Sequence, residues 1–330
     1  MKNKLQKGIQ ALLALNFNAR MEATITNTNY NGDVVPMIYE ILGIGNDVIN
    51  QGTARLELGI REKRSIPNIR TADNPMGAYE ATPTGETADT DYAERELNMV
   101  KRMLYEVINP VIWQDVWDEF ASQGMTFTQV VNNPDVFRTI LKLYQNAVGR
   151  QTAKDFWQGA VANPGEFNGI ITRAALDASV IDVTNLGVIT AANVIAVVED
   201  VWEAIPDQFF EDPNYHIHMN TTDFKLLQTA NQAAAAGSDG YLNNTVRNIF
   251  LHQRIKHYAG LPKNSIVGAK GTTGMDSNLI LGFYAIPDAE LGSPIINRVA
   301  NNSRETFIRV DFKMDANYAE GSEIVLYQGV

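Results

Sequence analysis

The sequence contains no cysteine, which excludes a disulfide framework, a thiolate nucleophile and a cysteine-ligated zinc site. It also contains no apolar run that approaches the roughly 18 residues that a helix needs to cross a bilayer, so no membrane partner is expected. An excess of positive charge is missing as well, because 38 acidic residues outnumber 27 basic ones and give a net charge of −11. Surfaces that grip nucleic acid are basic, and this balance therefore argues against a protein whose main surface binds nucleic acid.

Signatures of catalysis and of cofactor binding are equally scarce. The sequence has no G-x-S-x-G nucleophile elbow. Residues 268–274 (GAKGTTG) lack the G-K-[ST] ending of a phosphate-binding loop and predict a β-turn instead. Residues 42–47 (LGIGND) carry only the first two glycines of a dinucleotide fingerprint. We therefore expect neither an enzyme nor a cofactor, and the alternative that remains is a carboxylate site assembled by folding.

Histidine is rare, and two of the four histidines, His216 and His218, lie two positions apart in the segment 214–220 (NYHIHMN). The alternation of this segment predicts a strand, which would place both imidazoles on one face and could begin a metal site. A third ligand would have to come from a distant part of the chain. Two ordinary strand residues are the interpretation that we favour.

What the sequence does contain is a globular composition, with 45% hydrophobic and 20% charged residues in 330 positions. Helical and strand patterns mix without a βαβ rhythm, which predicts an α+β class. The strongest helix signal runs from Asn133-Pro134 to about Gln158, since a capping residue followed by proline begins many helices. The other predicted elements are a strand or a helix at 97–108, a turn at 163–171 with positive φ at Asn168-Gly169, helices capped by Thr190 and by Thr221 or Thr222, a loop at 233–240, strands at 265–267 and 279–284, and closing strands at 306–312 and 323–328.

Large aliphatic side chains are almost missing from residues 71–90 (TADNPMGAYEATPTGETADT). The preceding segment is different: residues 53–60 (TARLELGI) alternate and predict a half-buried strand, and four charged residues follow at 61–64. A stretch as polar as 71–90 buries too little apolar surface to hold itself in place. It is therefore either a loose loop or a segment that another molecule holds.

The first twenty residues (MKNKLQKGIQALLALNFNAR) allow two interpretations. A basic start followed by an apolar stretch is typical of a short signal peptide. Leu5, Ile9, Leu12 and Phe17 recur near helical spacing, however, and polar residues interrupt the apolar run. We favour an amphipathic arm helix over a signal peptide.

Read in order, these segments resemble the major capsid proteins of tailed bacteriophages, which share the Hong Kong 97 fold. The resemblance rests on the order of the elements and on three motifs: NPGEFNGII after the long helix, YHIHMNTTDFKLLQ as a strand followed by a capped helix, and NSRETFIRVDFKMDANYAEGSEIVLYQ as closing strands. It implies an N-terminal arm at 1–50, an extended hairpin called the E-loop at 51–95, a peripheral domain at 96–178 with its spine helix at 134–158, an axial domain at 179–295, and return strands of the peripheral domain at 296–330.

The resemblance also gives the sparse segment a role. The hairpin would lie across a neighbouring subunit, where its apolar side chains find cover and its cations find carboxylates. The subunit-contact residues expected on this basis are Leu56, Leu58, Ile60, Arg61, Lys63 and Arg64. For the charged run, a solvated strand edge is an equally open alternative, because lysine and arginine discourage edge-to-edge aggregation.

The function that the resemblance implies is the assembly of many copies, as hexamers and pentamers, into an icosahedral head shell that encloses double-stranded DNA. The partners implied are neighbouring capsomers, a portal, a separate scaffold or decoration protein, and DNA held by containment only. A location in the virion, after assembly in the cytoplasm of a bacterial host, follows from the same resemblance. Two alternatives stay open: an encapsulin-like compartment that holds enzyme cargo, and a monomeric hydrolase with a fold-assembled carboxylate site.

Overall fold

The computed structural model describes six stretches of the chain: 46–71, 90–108, 134–236, 255–285, 295–298 and 305–329. Most of the predicted arm and the middle of the predicted E-loop lie outside these stretches, as does the second half of the predicted loop 233–240.

Helices and strands alternate irregularly along the described residues, which confirms the α+β class. The helices are α1 (Asp47–Asn50), α2 (Pro134–Gln158), α3 (Ile170–Ala174), α4 (Val194–Glu203), α5 (Asp207–Phe210) and α6 (Thr221–Ala236). The strands are β1 (Arg55–Leu58), β2 (Lys63–Thr71), β3 (Thr90–Asn98), β4 (Val100–Ile108), β5 (Ile181–Asp182), β6 (Tyr215–Asn220), β7 (Ile255–Tyr258), β8 (Ser265–Lys270), β9 (Leu279–Ala285), β10 (Ile295–Arg298), β11 (Thr306–Tyr318) and β12 (Val325–Gln328).

The chain divides into two compact units, and both the long helix α2 and the strand β11 contribute residues to each of them. The first unit comprises residues 1–42, 103–145 and 285–312, and in it β10 pairs antiparallel with the first part of β11. The second unit comprises residues 43–102, 146–284 and 313–330. The five-part division that the resemblance implies stays a prediction.

The core of the second unit lies against a five-stranded sheet with the order β5-β12-β8-β6-β7. Helix α4 contributes Val194, Val197, Val198 and Val201 to this core, and all four side chains are completely buried. Burying one such side chain contributes about 1.5–3 kcal/mol, so this valine face is a main reason why α4 is held on the sheet. The helix begins at Val194 and not directly after Thr190, because Asn193 occupies the N-cap position.

A second sheet has the order β1-β9-β11-β10, with β4 pairing to β11. Strand β1 runs parallel to β9, and its register pairs Arg55 with Ile280 and Leu58 with Phe283. It ends before the predicted limit at Ile60 because Gly59, with φ of +82°, turns the chain out of the extended conformation, and it begins at Arg55 instead of Thr53. The chain then enters a separate two-stranded antiparallel sheet made of β2 and β3.

Several boundaries differ from the sequence-based expectation. The helix α2 has the predicted limits, and residues 100–108 form the strand of the two predicted alternatives. Residues 233–236 are the last turn of α6, so the loop predicted to start at Ala233 is wrong for these four residues. Alanine is the strongest helix former, and a run of it continues a helix rather than ending it. Strand β11 continues six residues beyond the predicted end at Phe312, to Tyr318.

The end of α2 packs so closely against other backbone that three glycines are required. A Cβ added at Gly169 would lie 2.7 Å from the carbonyl oxygen of Asp155, and one added at Gly159 would lie 2.4 Å from that of Phe167. Gly169 itself has φ of −72°, so the predicted positive φ at this residue is wrong. In the same turn the positive φ belongs to Gly165, at +77°. Close approach, not a left-handed conformation, is what Gly169 provides.

Gly260 makes the third of these contacts, and replacing it with alanine should destabilise the protein. The added Cβ would lie 2.7 Å from the carbonyl carbon of Ala153 and from the amide nitrogen of Lys154, both in the backbone of α2. Overpacking of this kind costs about 1–3 kcal/mol in the free energy of unfolding, which denaturant unfolding would measure. The exposed Ala178→Ser serves as the control and should stay within about 0.5 kcal/mol of wild type. An unchanged midpoint for Gly260→Ala would contradict this packing.

Candidate functional site: the hairpin base

The hairpin of β2 and β3 overlaps the segment predicted as the E-loop, and its role as an E-loop stays a prediction. Its strands pair along their whole described length, from Lys63 opposite Asn98 to Thr71 opposite Thr90. We call residues 60–68 and 94–98 the hairpin base, since other parts of the second unit contact the hairpin there.

A small apolar cluster fixes the hairpin base to the second sheet. Ile60, Ile66, Leu97 and Ile280 are all buried and pack together. Ile60 was expected to find cover on a neighbouring subunit, but it is only 5% exposed in the single chain. Within the subunit Ile60 follows the turn at Gly59 and packs with Ile280 of β9, and its contact with a neighbouring subunit stays a prediction.

The other two apolar residues of the predicted contact set lie in β1 and not in the hairpin. Leu56 is 40% exposed and Leu58 is half-buried. Leu56 therefore retains apolar surface that a neighbouring molecule could cover. The contact of either side chain with another subunit stays a prediction.

Lys63 and Arg64, in the charged run 61–64, form ion pairs within the chain. Nζ of Lys63 lies 3.3 Å from a carboxylate oxygen of Glu96 on the opposite strand, and both side chains are more than half exposed. Nη1 of Arg64 lies 2.6 Å from Glu57. Exposed pairs of this kind contribute about 0.2–1 kcal/mol each. The main-chain oxygen of Arg61 accepts a hydrogen bond of 2.6 Å from Nζ of Lys313.

Glu57 links β1 to the hairpin base. Its carboxylate lies 2.9 Å from Nε of Arg55 in the same strand and 2.6 Å from Nη1 of Arg64 in β2. The Glu57 side chain is 12% exposed, so solvent screens these contacts less than it screens the pair of Lys63. The bridge orients the first residues of the hairpin relative to the sheet.

A buried carboxylate of β11 holds the other strand of the hairpin base. Oδ2 of Asp315 accepts a hydrogen bond of 2.7 Å from the backbone N–H of Asn98. Nη2 of Arg173 donates to both carboxylate oxygens of Asp315, at 2.8 and 3.0 Å. Burial raises the pKa of Asp315, and the Arg173 guanidinium together with the Asn98 amide opposes that rise. Two residues further along β11, Nδ2 of Asn317 donates to the Glu96 carbonyl at 2.8 Å.

A second carboxylate, Asp177, ties the hairpin base to the segment after α3. One of its oxygens accepts from Nη2 of Arg95 at 2.6 Å and from the hydroxyl of Tyr318 at 2.8 Å. The other accepts from the backbone N–H and the hydroxyl of Ser179, at 2.9 and 2.7 Å. Partial burial acts to raise the pKa of Asp177, but these hydrogen bonds outweigh it and hold the pKa well below its usual range. The Arg95 guanidinium also lies 4.4 Å from the centre of the Tyr318 ring.

Gly321 leaves the space that this arrangement needs. A Cβ at this position would lie 1.9 Å from the hydroxyl oxygen of Ser179, which is too close for any real contact. It would also lie 3.0 Å from Oδ2 of Asp177 and 3.1 Å from Nη2 of Arg95, which is unusually tight. Further out along the hairpin, the amide of Asn68 donates to the carboxylate of Glu320. The hairpin base is thus fastened by its own subunit on both strands.

The remaining motifs of the sequence have structural places. His218 is buried in β6 and His216 is half-buried, with ring centres 6.2 Å apart, and the described residues contain no group of three or more metal-ligating side chains. Gly268 to Lys270 belong to β8, so the β-turn predicted for this motif is wrong for its first three residues. Nζ of Lys270 forms an ion pair of 2.8 Å with Asp212. No helix among the described residues is long and apolar enough to span a membrane.

Comparison with solved structures identifies the fold, although no protein-family model and no curated protein matches the sequence. The procapsid of satellite phage P4 with its size-determination (Sid) protein matches at a TM-score of 0.60 and 10% identity, covering 100% of this chain and 98% of that one. The capsid of a native GTA particle matches at 0.54 and 11% identity, covering 96% and 98%. The capsid of cyanophage A-1(L) matches at 0.50 and 8% identity, covering 86% and 93%.

These matches define the fold of the chain. The chain has the Hong Kong 97-type fold of phage major capsid proteins, as the order of its segments predicted. Both chains are covered almost end to end in the match to satellite phage P4, so the likeness extends beyond the long helix or the hairpin alone.

Proposed function

We propose that this protein is a shell-forming capsid subunit, many copies of which assemble into an icosahedral particle. The observation that carries the proposal is the full-length likeness to capsid structures. The hairpin base adds independent support, since its own subunit fixes its direction through the Asp177 and Asp315 contacts. A hairpin held in one direction can meet a neighbour without a large loss of conformational entropy on assembly.

The more specific proposal is the head shell of a tailed bacteriophage that encloses double-stranded DNA. In it, hexamers and pentamers of this chain contact one another through the hairpin and the N-terminal arm. The net charge of −11 suits containment, because an acidic wall repels packaged DNA weakly instead of binding it. A portal and a separate scaffold or decoration protein would be its other partners, and the virion, assembled in the host cytoplasm, its location.

The mechanism is conformational. A chain that occupies both hexamers and pentamers needs one part whose conformation is the same in every copy and other parts whose conformation differs between copies. The fastened hairpin base and the closely packed end of α2 are suited to the first task. Residues 72–89, with almost no large aliphatic side chains, are suited to the second, because their order would come from a neighbouring subunit.

A hydrolase with a fold-assembled carboxylate site is less well supported. The most deeply buried carboxylates among the described residues, Asp155 and Asp315, form ion pairs with Arg102 and Arg173. A carboxylate that forms an ion pair with an arginine and accepts hydrogen bonds from backbone or amide groups is typical of a structural ion pair rather than of a general base.

Electron microscopy of the purified protein, combined with size-exclusion chromatography, tests the proposal. We expect closed particles of uniform size, and a stable monomer near 36.5 kDa at all concentrations would overturn the shell function. The contents of the particles separate the two kinds of shell. Nuclease-protected double-stranded DNA in particles from infected cells would support the phage head, whereas a packaged enzyme would support an encapsulin-like compartment.

Reversal of the charges of Arg61, Lys63 and Arg64 to glutamate should prevent shell formation and leave the subunit folded. The exposed Lys63–Glu96 pair is worth no more than about 1 kcal/mol, and the Arg64–Glu57 pair is the larger loss because Glu57 is mostly buried. We expect the fold to survive both losses, whereas like charges repeated at every contact oppose assembly. Circular dichroism would measure folding and light scattering would measure assembly. A control that reverses the exposed Arg150, Lys154 and Lys225 changes the net charge by the same amount. Normal particles from the first variant would contradict the predicted contact.

A further inference from the structure

His218 occupies a closed aromatic site where three elements of the second unit meet. The residue is completely buried in the middle of β6. Its ring centre lies 5.3 Å from that of Trp157, the penultimate residue of α2, and 5.5 Å from that of Tyr258, the last residue of β7. Both of these rings are also completely buried, and they lie 5.2 Å from each other. The histidine ring therefore helps to join the end of the long helix to the sheet.

The surroundings of His218 favour a neutral ring. From β6 itself His216 faces it, and from β7 Lys256 is its partner in register. Both of these charged neighbours are bases. From β8 the cross-strand partner is Val267, and the Ala269 backbone is the group that favours the protonated ring.

The groups on the other packed elements do not offset these bases. From β7 the hydroxyl of Tyr258 is hydrogen-bonded to Thr53, and burial together with the carboxylate of Asp47 in α1 raises its pKa, so it stays neutral. Asp47 acts on Tyr258 and is not among the groups that shift the pKa of His218. From α2 the nearest carboxylate in sequence to Trp157 is Asp155, which is held by Arg102 and by Gln151. Burial, with His216 and Lys256, lowers the pKa of His218 well below its usual value.

We propose that His218 is an acid-sensitive packing contact, and that protonation of its ring weakens the attachment of the end of α2 to β6 and β7. An imidazolium between two buried aromatic rings and beside Lys256 carries a charge without a carboxylate partner among these neighbours. The costs of burying that charge are large, and opening of the site to water relieves them. This property belongs to the single subunit and does not depend on shell assembly.

The sign of the pH dependence follows from linkage. A histidine whose pKa is lowered by folding binds fewer protons in the folded state than in the unfolded state. Below the unfolded value of about 6.5, stability therefore falls as the pH falls, until the lower folded pKa is reached. One proton changes the opening equilibrium by up to tenfold per pH unit, and so by up to about 30-fold between pH 7.5 and 5.0 for an unfolded pKa of about 6.5.

Hydrogen exchange of the full-length protein, followed by mass spectrometry at pH 7.5 and 5.0 and corrected for the intrinsic exchange rate, tests the proposal. We expect wild-type peptides from 150–158, 215–220 and 255–258 to lose protection at pH 5.0 by at least tenfold. Peptides from 221–232 in α6 should change less, because this helix is also held by the buried valines of α4, on which protonation of His218 has no direct effect. His218→Gln should remove most of the acid effect, whereas the control His257→Gln, at an exposed residue, should retain it.

Three results would overturn the proposal. The first is equal protection of the wild-type peptides at both pH values, which decides the question even if His218→Gln does not fold. The second is an undiminished acid effect in His218→Gln. The third is a uniform loss of protection across α6 and the site, since that would show global unfolding instead of a local contact.

Discussion

Replacing residues 72–89 with a two-residue Asn-Gly turn should abolish shell assembly and leave a folded subunit. Thr71 and Thr90 are directly opposite in the antiparallel register, which is the geometry that a two-residue hairpin turn closes. The described contacts of the hairpin base all lie outside the deleted stretch, so the base should keep its stability. Assembly should fall at least tenfold, because the deleted residues are those that we propose a neighbouring subunit orders.

The measurement compares sedimentation of particles with denaturant unfolding of the soluble fraction. A matched control replaces residues 72–89 with a Gly/Ser-rich segment of the same length, which keeps the reach and removes the side chains. If the control assembles and the deletion does not, length is what the contact requires. If the deletion still forms normal shells, the proposed contact through this segment is wrong.

Replacing Arg173 with methionine should destabilise the subunit by about 3 kcal/mol or more. The substitution leaves Asp315, whose side chain is 1% exposed, as a buried carboxylate without its cation, and removal of one partner of a buried pair costs about 3–5 kcal/mol. The bond from Nε of Arg173 to the Asn168 carbonyl, at 3.1 Å, is lost as well. Because Asp315 also holds the Asn98 amide, hydrogen exchange in β3 should increase together with the loss of global stability.

The pH dependence of this variant has a definite sign. Burial already raises the pKa of Asp315, and loss of the guanidinium raises it further. A carboxyl with a raised folded pKa takes up a proton and becomes neutral as the pH falls. The loss of stability of Arg173→Met relative to wild type should therefore be greatest near pH 7 and should become smaller in acid. The exposed Arg150→Met is the control, expected within about 0.5 kcal/mol of wild type. A stability difference between variant and wild type that grows as the pH falls would contradict the buried-charge explanation.

Local signals predicted the elements that depend on local sequence. The limits of α2 followed from Asn133-Pro134 and the apolar spacing, and β6 followed from the alternation of residues 214–220. The alternation of residues 53–60 also predicted a strand, but Gly59 ended β1 before Ile60. In α6, the alanine run continues the helix to Ala236, because the helix propensity of alanine outweighs the effect of the glycines that follow it in the sequence.

The hairpin base could not be predicted, because its contacts join residues that are far apart in the chain. Arg95 and Asp177 are separated by 82 positions, and Asn98 and Asp315 by 217. The charged run at 61–64 left a solvated strand edge and pairing with carboxylates equally open, and it could not show that Glu57 and Glu96 of the same chain pair with it. One usable signal was Asp315 itself: a carboxylate within an otherwise buried strand requires a specific partner.

The parallel pairing of β1 with β9 has a mechanical consequence. The Gly59 N–H continues this ladder with a bond of 3.0 Å to the Phe283 carbonyl, and the hairpin begins four residues later. Tension applied to the hairpin along the axis of β1 would load these bonds in shear, so that they share the force and rupture together. A strand peeled from its end loses its bonds singly and yields at much lower force. The join between hairpin and subunit therefore resists traction along β1 far better than traction across it.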